Sequence, residues 1–246
     1  MKNTIDINCD VGEGVGNEKE LFPLIGSCNI ACGGHAGSEE TIRLCLELAK
    51  QFSVKVGAHP SFPDKKNFGR VSMNISNEEL IKSIQTQMQL FQSILKDMDM
   101  QLHHIKPHGA LYNDIAKDEF LAVTFLKSIE TFKNQVYLYV PYGSVIQRIA
   151  IENGFKVLIE AFADRNYNTD LSLVLRKENN ALISEGRKVL EHILNMYVDK
   201  VVETVSGESI AIDADTYCIH GDTPSAIQIL MYLTNHLPKH NLQVKP

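Results

Sequence analysis

Short apolar runs alternate along the chain with longer stretches in which apolar residues recur every three or four positions. That order belongs to repeated β-α units around a parallel sheet. Seven runs read as strands, over 5–10, 28–32, 54–59, 104–108, 136–140, 157–161 and 217–220. Six segments carry helix-spaced apolar positions, over 39–52, 77–97, 118–132, 143–153, 184–198 and 224–237. Two of these have start signals: Ser76 precedes Glu79 at the spacing of a capping box, and Ser38 precedes Thr41 in a similar first turn. Between 164 and 217 the alternation lapses into a polar loop and a helix, then 201–205, Ser206-Gly207-Glu208 and 210–212, which read as an appended β-hairpin. No repeat, Pro/Ser linker or low-complexity tract interrupts the series, so a single domain over 1–246 is expected. Periodicity alone fits a closed TIM-like barrel and an open doubly wound sheet equally well.

Polar residues fall at informative places within this pattern. In the first strand Ile5, Ile7 and Cys9 alternate with Asp6, Asn8 and Asp10, so one face is apolar and the other polar. In a barrel the apolar face would meet the helices while Asn8 and Asp10 pointed inward, towards the C-terminal mouth. The fourth strand repeats the theme, with His104, Lys106 and His108 opposite Ile105 and Pro107. His35 follows the second strand, His59 ends the third, Glu160 and Asp164 end or follow the sixth, and His220 and Asp222 finish the seventh. Active sites of α/β barrels and open α/β sheets are built at the carboxyl ends of strands. Ionisable residues serving only solubility would scatter over helix surfaces instead of converging there.

Lys106 is the most telling of these residues, because a lysine flanked by apolar residues within a strand is rarely buried without an anionic partner. An anionic substrate would satisfy it, and so would an ion pair with Glu160 inside the barrel. His35 sits among Gly33, Gly34 and Gly37, which allow close backbone approach to a ligand or simply a tight turn. His103, His192, His236 and His240 have no comparable context and read as surface or core residues.

Three familiar motifs are set aside. Gly12-Glu13-Gly14-Val15-Gly16 follows a strand, but its spacing is not that of a dinucleotide loop and Glu13 stands where a phosphate would sit. There is no P-loop sequence for ATP and no Gly-x-Ser-x-Gly nucleophile elbow. The balance of 24 basic against 30 acidic side chains, with no basic cluster, argues against nucleic acid. No apolar run is long enough to span a bilayer, and Met1-Lys2-Asn3-Thr4 leads into strand-like sequence without a signal segment, so no membrane association and a cytoplasmic address are expected. Five cysteines without a Cys-x-x-Cys pair suggest neither a disulfide framework nor a structural zinc site.

A series of motifs does carry a resemblance. Asp6-Ile7-Asn8-Cys9-Asp10-Val11-Gly12-Glu13, Asn29-Ile30-Ala31-Cys32-Gly33, His35-Ala36-Gly37, Gly57-Ala58-His59-Pro60-Ser61 and Phe68-Gly69-Arg70 are followed by Lys106-Pro107-His108-Gly109-Ala110-Leu111-Tyr112, Phe162-Ala163-Asp164-Arg165 and His220-Gly221-Asp222. In that order, from about residue 5 to about residue 225, the chain resembles the 5-oxoprolinase A-subunit family, also called LamB/YcsF. It departs at Gly34, where the family usually has Phe, at Ser38-Glu39, and at Asn166 and Leu171, which are commonly Gly.

The resemblance implies a seven-stranded (β/α) TIM-like barrel of the glycoside hydrolase/deacetylase type. It also implies a hydrolase that opens the cyclic amide of 5-oxo-L-proline to L-glutamate, with ATP as co-substrate and two other 5-oxoprolinase subunits, B and C, as partners. On that footing Asp10, Glu13, His59, Lys106, His108, Glu160 and His220 are the catalytic candidates. Asn8, His35, Arg70, Asp164, Arg165 and Asp222 are the substrate-binding ones. Lys106 is expected on the substrate carboxylate or a phosphoryl group, with Arg70 and Arg165 as secondary anion binders. Asp10, His59 and His108 are candidates for a divalent metal, as some barrels of this type hold one. Two other readings stay open: a stand-alone metal-dependent deacetylase or amidohydrolase, and a non-catalytic substrate-binding subunit. So does assembly as a homodimer.

Overall fold

The computed structural model of the chain describes residues 3–223 and 225–244. Its strands are β1 (Asn3–Val11), β2 (Ser27–Ala31), β3 (Lys55–His59), β4 (His104–Ile105), β5 (Tyr137–Pro141), β6 (Lys156–Phe162), β7 (Val201–Glu203), β8 (Ser209–Ala211), β9 (Thr216–Cys218) and β10 (Leu242–Val244). Its helices are α1 (Glu18–Leu21), α2 (Glu39–Phe52), α3 (Asn77–Asp97), α4 (Gly109–Ile115), α5 (Glu119–Ser128), α6 (Val145–Glu152), α7 (Gly186–Leu194) and α8 (Ala226–His236). Parallel pairing runs β1-β2-β3-β4-β5-β6-β9, and Asp6, Ile7 and Asn8 of β1 then pair with Thr216, Tyr217 and Cys218 of β9. That last pairing closes the sheet, so the chain forms a seven-stranded parallel barrel and not an open doubly wound sheet.

The helices cover the barrel from outside. Ile5, Ile7 and Cys9 of β1 join their buried faces in one continuous apolar cluster. Both predicted start signals are made: Ser76 accepts from the Glu79 amide and Ser38 from that of Thr41, with reciprocal side-chain contacts. The hairpin forms as β7 against antiparallel β8. The fourth strand stops two residues in, because Pro107 has no N–H to offer a ladder. On the β3 side the backbone bonds still continue, from Lys106 N to Ala58 O and His108 N to Pro60 O. The strand expected over 217–220 likewise ends at Cys218. Helix α8 begins at Ala226; Pro224, expected to open it, lies outside the described residues, as do Met1 and Lys2. Three of these elements were not expected: the four-residue α1, α4, which starts directly after His108, and β10, which pairs with Asn3–Ile5 below β9. Among the described residues no helix is long and apolar enough to cross a membrane.

Candidate active site at the barrel mouth

The barrel interior is polar from bottom to top. At the base, Asp6 of β1 accepts from Ser27 Oγ and Thr216 Oγ1 at 2.7 Å each and pairs with Lys55. One layer up, Asn29 Nδ2 donates to Asn8 Oδ1 and Asp10 Oδ1 at 2.8 Å, Asn8 Nδ2 donates to Thr216 Oγ1, and a ring nitrogen of His104 lies 2.7 Å from Asn29 Oδ1. Gly57 on neighbouring β3 makes room for that imidazole: a β-carbon there would collide with the His104 ring. Asn8 is thus fully buried inside the network, below the mouth, and does not line the mouth cavity.

Above this layer Lys106 Nζ lies 3.0 Å from Asp10 Oδ1, 2.8 Å from Glu160 Oε1 and 3.2 Å from Cys218 Sγ. Burial works against every charge in the group, yet the attraction of Asp10 and Glu160 raises the Lys106 pKa well above its ordinary value. Against the same burial, Lys106 and His59 hold the Asp10 carboxyl well below the usual carboxylate range. Lys106, expected on an anionic ligand, thus lies between two carboxylates at the cavity wall.

Beside this triad lies a cluster of histidines. His59 Nε2 is 3.0 Å from His108 Nδ1, and Glu13 Oε1 lies 2.9 Å from His35 Nε2, 3.2 Å from His108 Nδ1 and 3.8 Å from His59 Nε2. Contacts from His108 and His35 hold Glu13 below the usual range although burial opposes them. Burial pushes His35 down to about 4 and lowers His108 as well. Gly12, Gly14 and Gly16, all at positive φ, carry the loop that returns Glu13 over the barrel. Glu13, His35, His59 and His108 bring ligand-type atoms within 4.8 Å of one another, a grouping with Glu13 in place of the expected Asp10, whose Oδ1 is taken by Lys106 and Asn29.

On the other side of the mouth Asp164 is fully buried and spent internally. It accepts from the His220 amide and from Thr223 Oγ1, and its Oδ1 lies 3.0 Å from His220 Nδ1. It therefore orients His220 and is not free to bind substrate. His220, Asp10 and Cys218 gather ligand-type atoms within 4.8 Å of one another. Arg165 is likewise redirected: its guanidinium donates to the Ala181 and Val174 carbonyls and pins the 164–185 segment over the mouth. Arg70 does reach the rim, where its partner is Asp222. Arg176, which carried no sequence signal, contacts both oxygens of the same Asp222 at 3.2 Å.

These groups surround one cavity of about 450 Å³, of the size that takes a small metabolite. Asp10, Glu13, His59, His108, Glu160 and His220 line its floor, and Leu171, Leu173 and Leu175 of the 164–185 segment form an apolar roof. Two departures from the family pattern have a visible counterpart. Leu171 adopts φ +62, a conformation that glycine takes without strain. At Gly34 an added β-carbon would run into Gln87 Oε1 and Ser61 Oγ; Gln87 fills that space and bonds Ser61 N and O.

Fold and site together define a parallel barrel with a small-molecule pocket built from buried acids and imidazoles at the C-terminal ends of its strands. Residues 5–246 match the LamB/YcsF family, and the chain belongs to it. It is 40% identical to the 5-oxoprolinase A-subunit of Thermococcus onnurineus, covering 98% of this chain and 97% of that one. Against the 5-oxoprolinase A-subunit of Haemophilus influenzae it is 35% identical over 98% of both. The crystal structure of the lactam utilization protein from Thermus thermophilus superposes with a TM-score of 0.91 at 34% identity, covering 98% of this chain and 99% of that one. A family 4 carbohydrate esterase from Streptomyces lividans shares the barrel alone, at TM-score 0.50 and 8% identity.

Proposed function

We propose that this chain is the lactam-binding subunit of an ATP-hydrolysing 5-oxoprolinase, a cytoplasmic enzyme completed by two partner subunits. The whole chain serves it as one barrel domain. The observation that carries this reading is the pocket itself: a small cavity with an Asp164-oriented His220 and the ionised Asp10 on its floor, inside a chain of this family. A five-membered lactam is resonance-stabilised, so opening it needs an activated carbonyl, a deprotonated water and a proton for the departing ring nitrogen. ATP, as co-substrate of the complex, activates the carbonyl by phosphorylating the amide oxygen. His220, held by Asp164, removes the proton from water. The same imidazole returns that proton to the ring nitrogen as the C–N bond breaks; the hydroxyl on the tetrahedral carbon gives up its proton to become the carbonyl of an acyl phosphate, and a second water cleaves this to L-glutamate and inorganic phosphate.

Lys106 keeps Asp10 ionised and holds Asp10 and Glu160 in place, so that the floor stays preorganised and does not rearrange around each new charge. The substrate carboxylate belongs at the rim, where Arg70 and Arg176 share Asp222 and keep one positive charge in excess. A divalent cation in the histidine cluster would supply Lewis-acid polarisation of an oxygen. Calorimetric titration of 5-oxo-L-proline into the folded chain tests the assignment. One molecule is expected to bind per chain, weakened at least about tenfold, or 1.4 kcal/mol, in Arg176→Ala. Absence of binding to the chain alone and in the presence of its partners would reject it.

A further inference from the structure

The histidine cluster contains one proton too few. His59 Nδ1 lies 2.7 Å from the Lys106 carbonyl oxygen, and His108 Nε2 lies 2.9 Å from the Phe68 carbonyl oxygen. A carbonyl oxygen can only accept, so each imidazole donates outward. A neutral imidazole has a single N–H. Both are then used, and the inner nitrogens, His59 Nε2 and His108 Nδ1, face each other at 3.0 Å as bare lone pairs. Glu13 Oε1 joins them at 3.8 and 3.2 Å, and Asp10 Oδ2 lies 3.5 Å from His59 Nε2. Four acceptors therefore converge on one small buried volume. Either an extra proton or a cation must lie among them.

The spacing favours a metal ion. Ligand atoms bound tetrahedrally at ~2.1 Å are about 3.4 Å apart, and the three distances among His59 Nε2, His108 Nδ1 and Glu13 Oε1 are 3.0, 3.2 and 3.8 Å. Outward donation from a ligand imidazole to a backbone carbonyl is the outer arrangement that fixes the tautomer of metal-binding histidines. All three residues line the cavity, whereas His35 does not. His35 lies flat on His108, ring centroids 3.6 Å apart and planes within 1°, and its Nε2 faces Glu13 at 2.9 Å. Two parallel stacked imidazoles cannot both aim lone pairs within their planes at one ion, so His35 sits in the outer shell. Imidazole nitrogens with one carboxylate suit zinc, cobalt and similar ions over magnesium or calcium.

We infer that Glu13, His59 and His108 form a three-ligand site for a divalent transition metal, with His35 as a positioning residue and the remaining coordination directed to the cavity. The inference rests on the proposed function only for what the ion would do there, not for its binding. The test reads binding. The full chain, stripped with a chelator and verified as folded by circular dichroism, is titrated with Zn²⁺ by calorimetry and with Co²⁺ by visible absorption. One ion per chain and the d–d bands of low-coordinate cobalt are expected. His59→Ala, His108→Ala and Glu13→Gln should abolish stoichiometric binding. His35→Ala should keep the stoichiometry with affinity lowered roughly 10–100-fold. Should the cavity variants fail to fold, the wild type still decides. A folded wild-type chain that takes up no stoichiometric ion overturns the assignment and leaves an imidazolium in the cluster. Folded ligand variants that bind as tightly as wild type overturn it equally.

Discussion

Lys106 shows how one residue can be legible in kind and misread in role. Its burial inside a strand signals a required countercharge, and Glu160 is the one foreseeable from sequence; that Asp10 supplies a second depends on strand register across the closed barrel. Lys106→Met would strand two buried carboxylates, and breaking a buried pair in this way costs about 3–5 kcal/mol. Chemical denaturation at pH 7 should register that loss, and a variant as stable as wild type would contradict the buried pairing. Asn29, Cys218 and Arg176 escaped sequence reading because none stands out among its neighbours; closure of the barrel is what brings Cys218 up to Lys106. His192, read as surface or core, is buried, and burial pushes its pKa down to about 4. An unfolded histidine titrates near ~6.5, so between about pH 6.5 and 4 the unfolded chain holds a proton that the folded chain refuses. Stability must rise with pH across that window. Unfolding free energies from urea titration at pH 7.5 and 5 should differ by less in His192→Leu than in wild type, on the order of 1–2 kcal/mol less; equal differences would contradict the assignment.

Elements whose signals are local were readable, and those set by tertiary pairing were not. The capped starts of α2 and α3 follow from Ser38 and Ser76 alone. Short α4, only seven residues, and the three-residue β10 offer too few positions for periodicity to register. Helix α3 also reaches into the site through Gln87, whose Nε2 donates to Ser61 O at 2.8 Å while its Oε1 accepts from Ser61 N at 3.0 Å. This clamp fixes the segment leading to Phe68, whose carbonyl receives His108 Nε2. Gln87→Leu would leave a buried amide and carbonyl unpaired at about 1–3 kcal/mol each. A lowered melting temperature is expected, together with weaker 5-oxo-L-proline binding. Loss of stability with binding intact would confine Gln87 to the fold.

At the scale of the whole molecule, alternation of β and α elements left the choice between barrel and open sheet undecided, because the deciding contact joins Asp6–Asn8 to 216–218, two hundred residues apart. The family motifs pointed to the closed form, since they imply it. A net charge of −6 describes the outer surface, whereas the rim of the mouth gathers Arg70 and Arg176 around a single carboxylate. An anionic substrate can therefore approach an acidic protein at this one place. Turnover by the assembled enzyme tests whether the lactam is opened in this barrel. The chain is to be combined with its two partner subunits and glutamate formation from 5-oxo-L-proline measured with and without ATP, for wild type and for His220→Ala. ATP-dependent glutamate formation by wild type is expected, reduced by at least about a hundredfold, or 2.7 kcal/mol, without the His220 imidazole. Full coupled turnover by a folded His220→Ala chain would contradict the placement of the chemistry in this barrel.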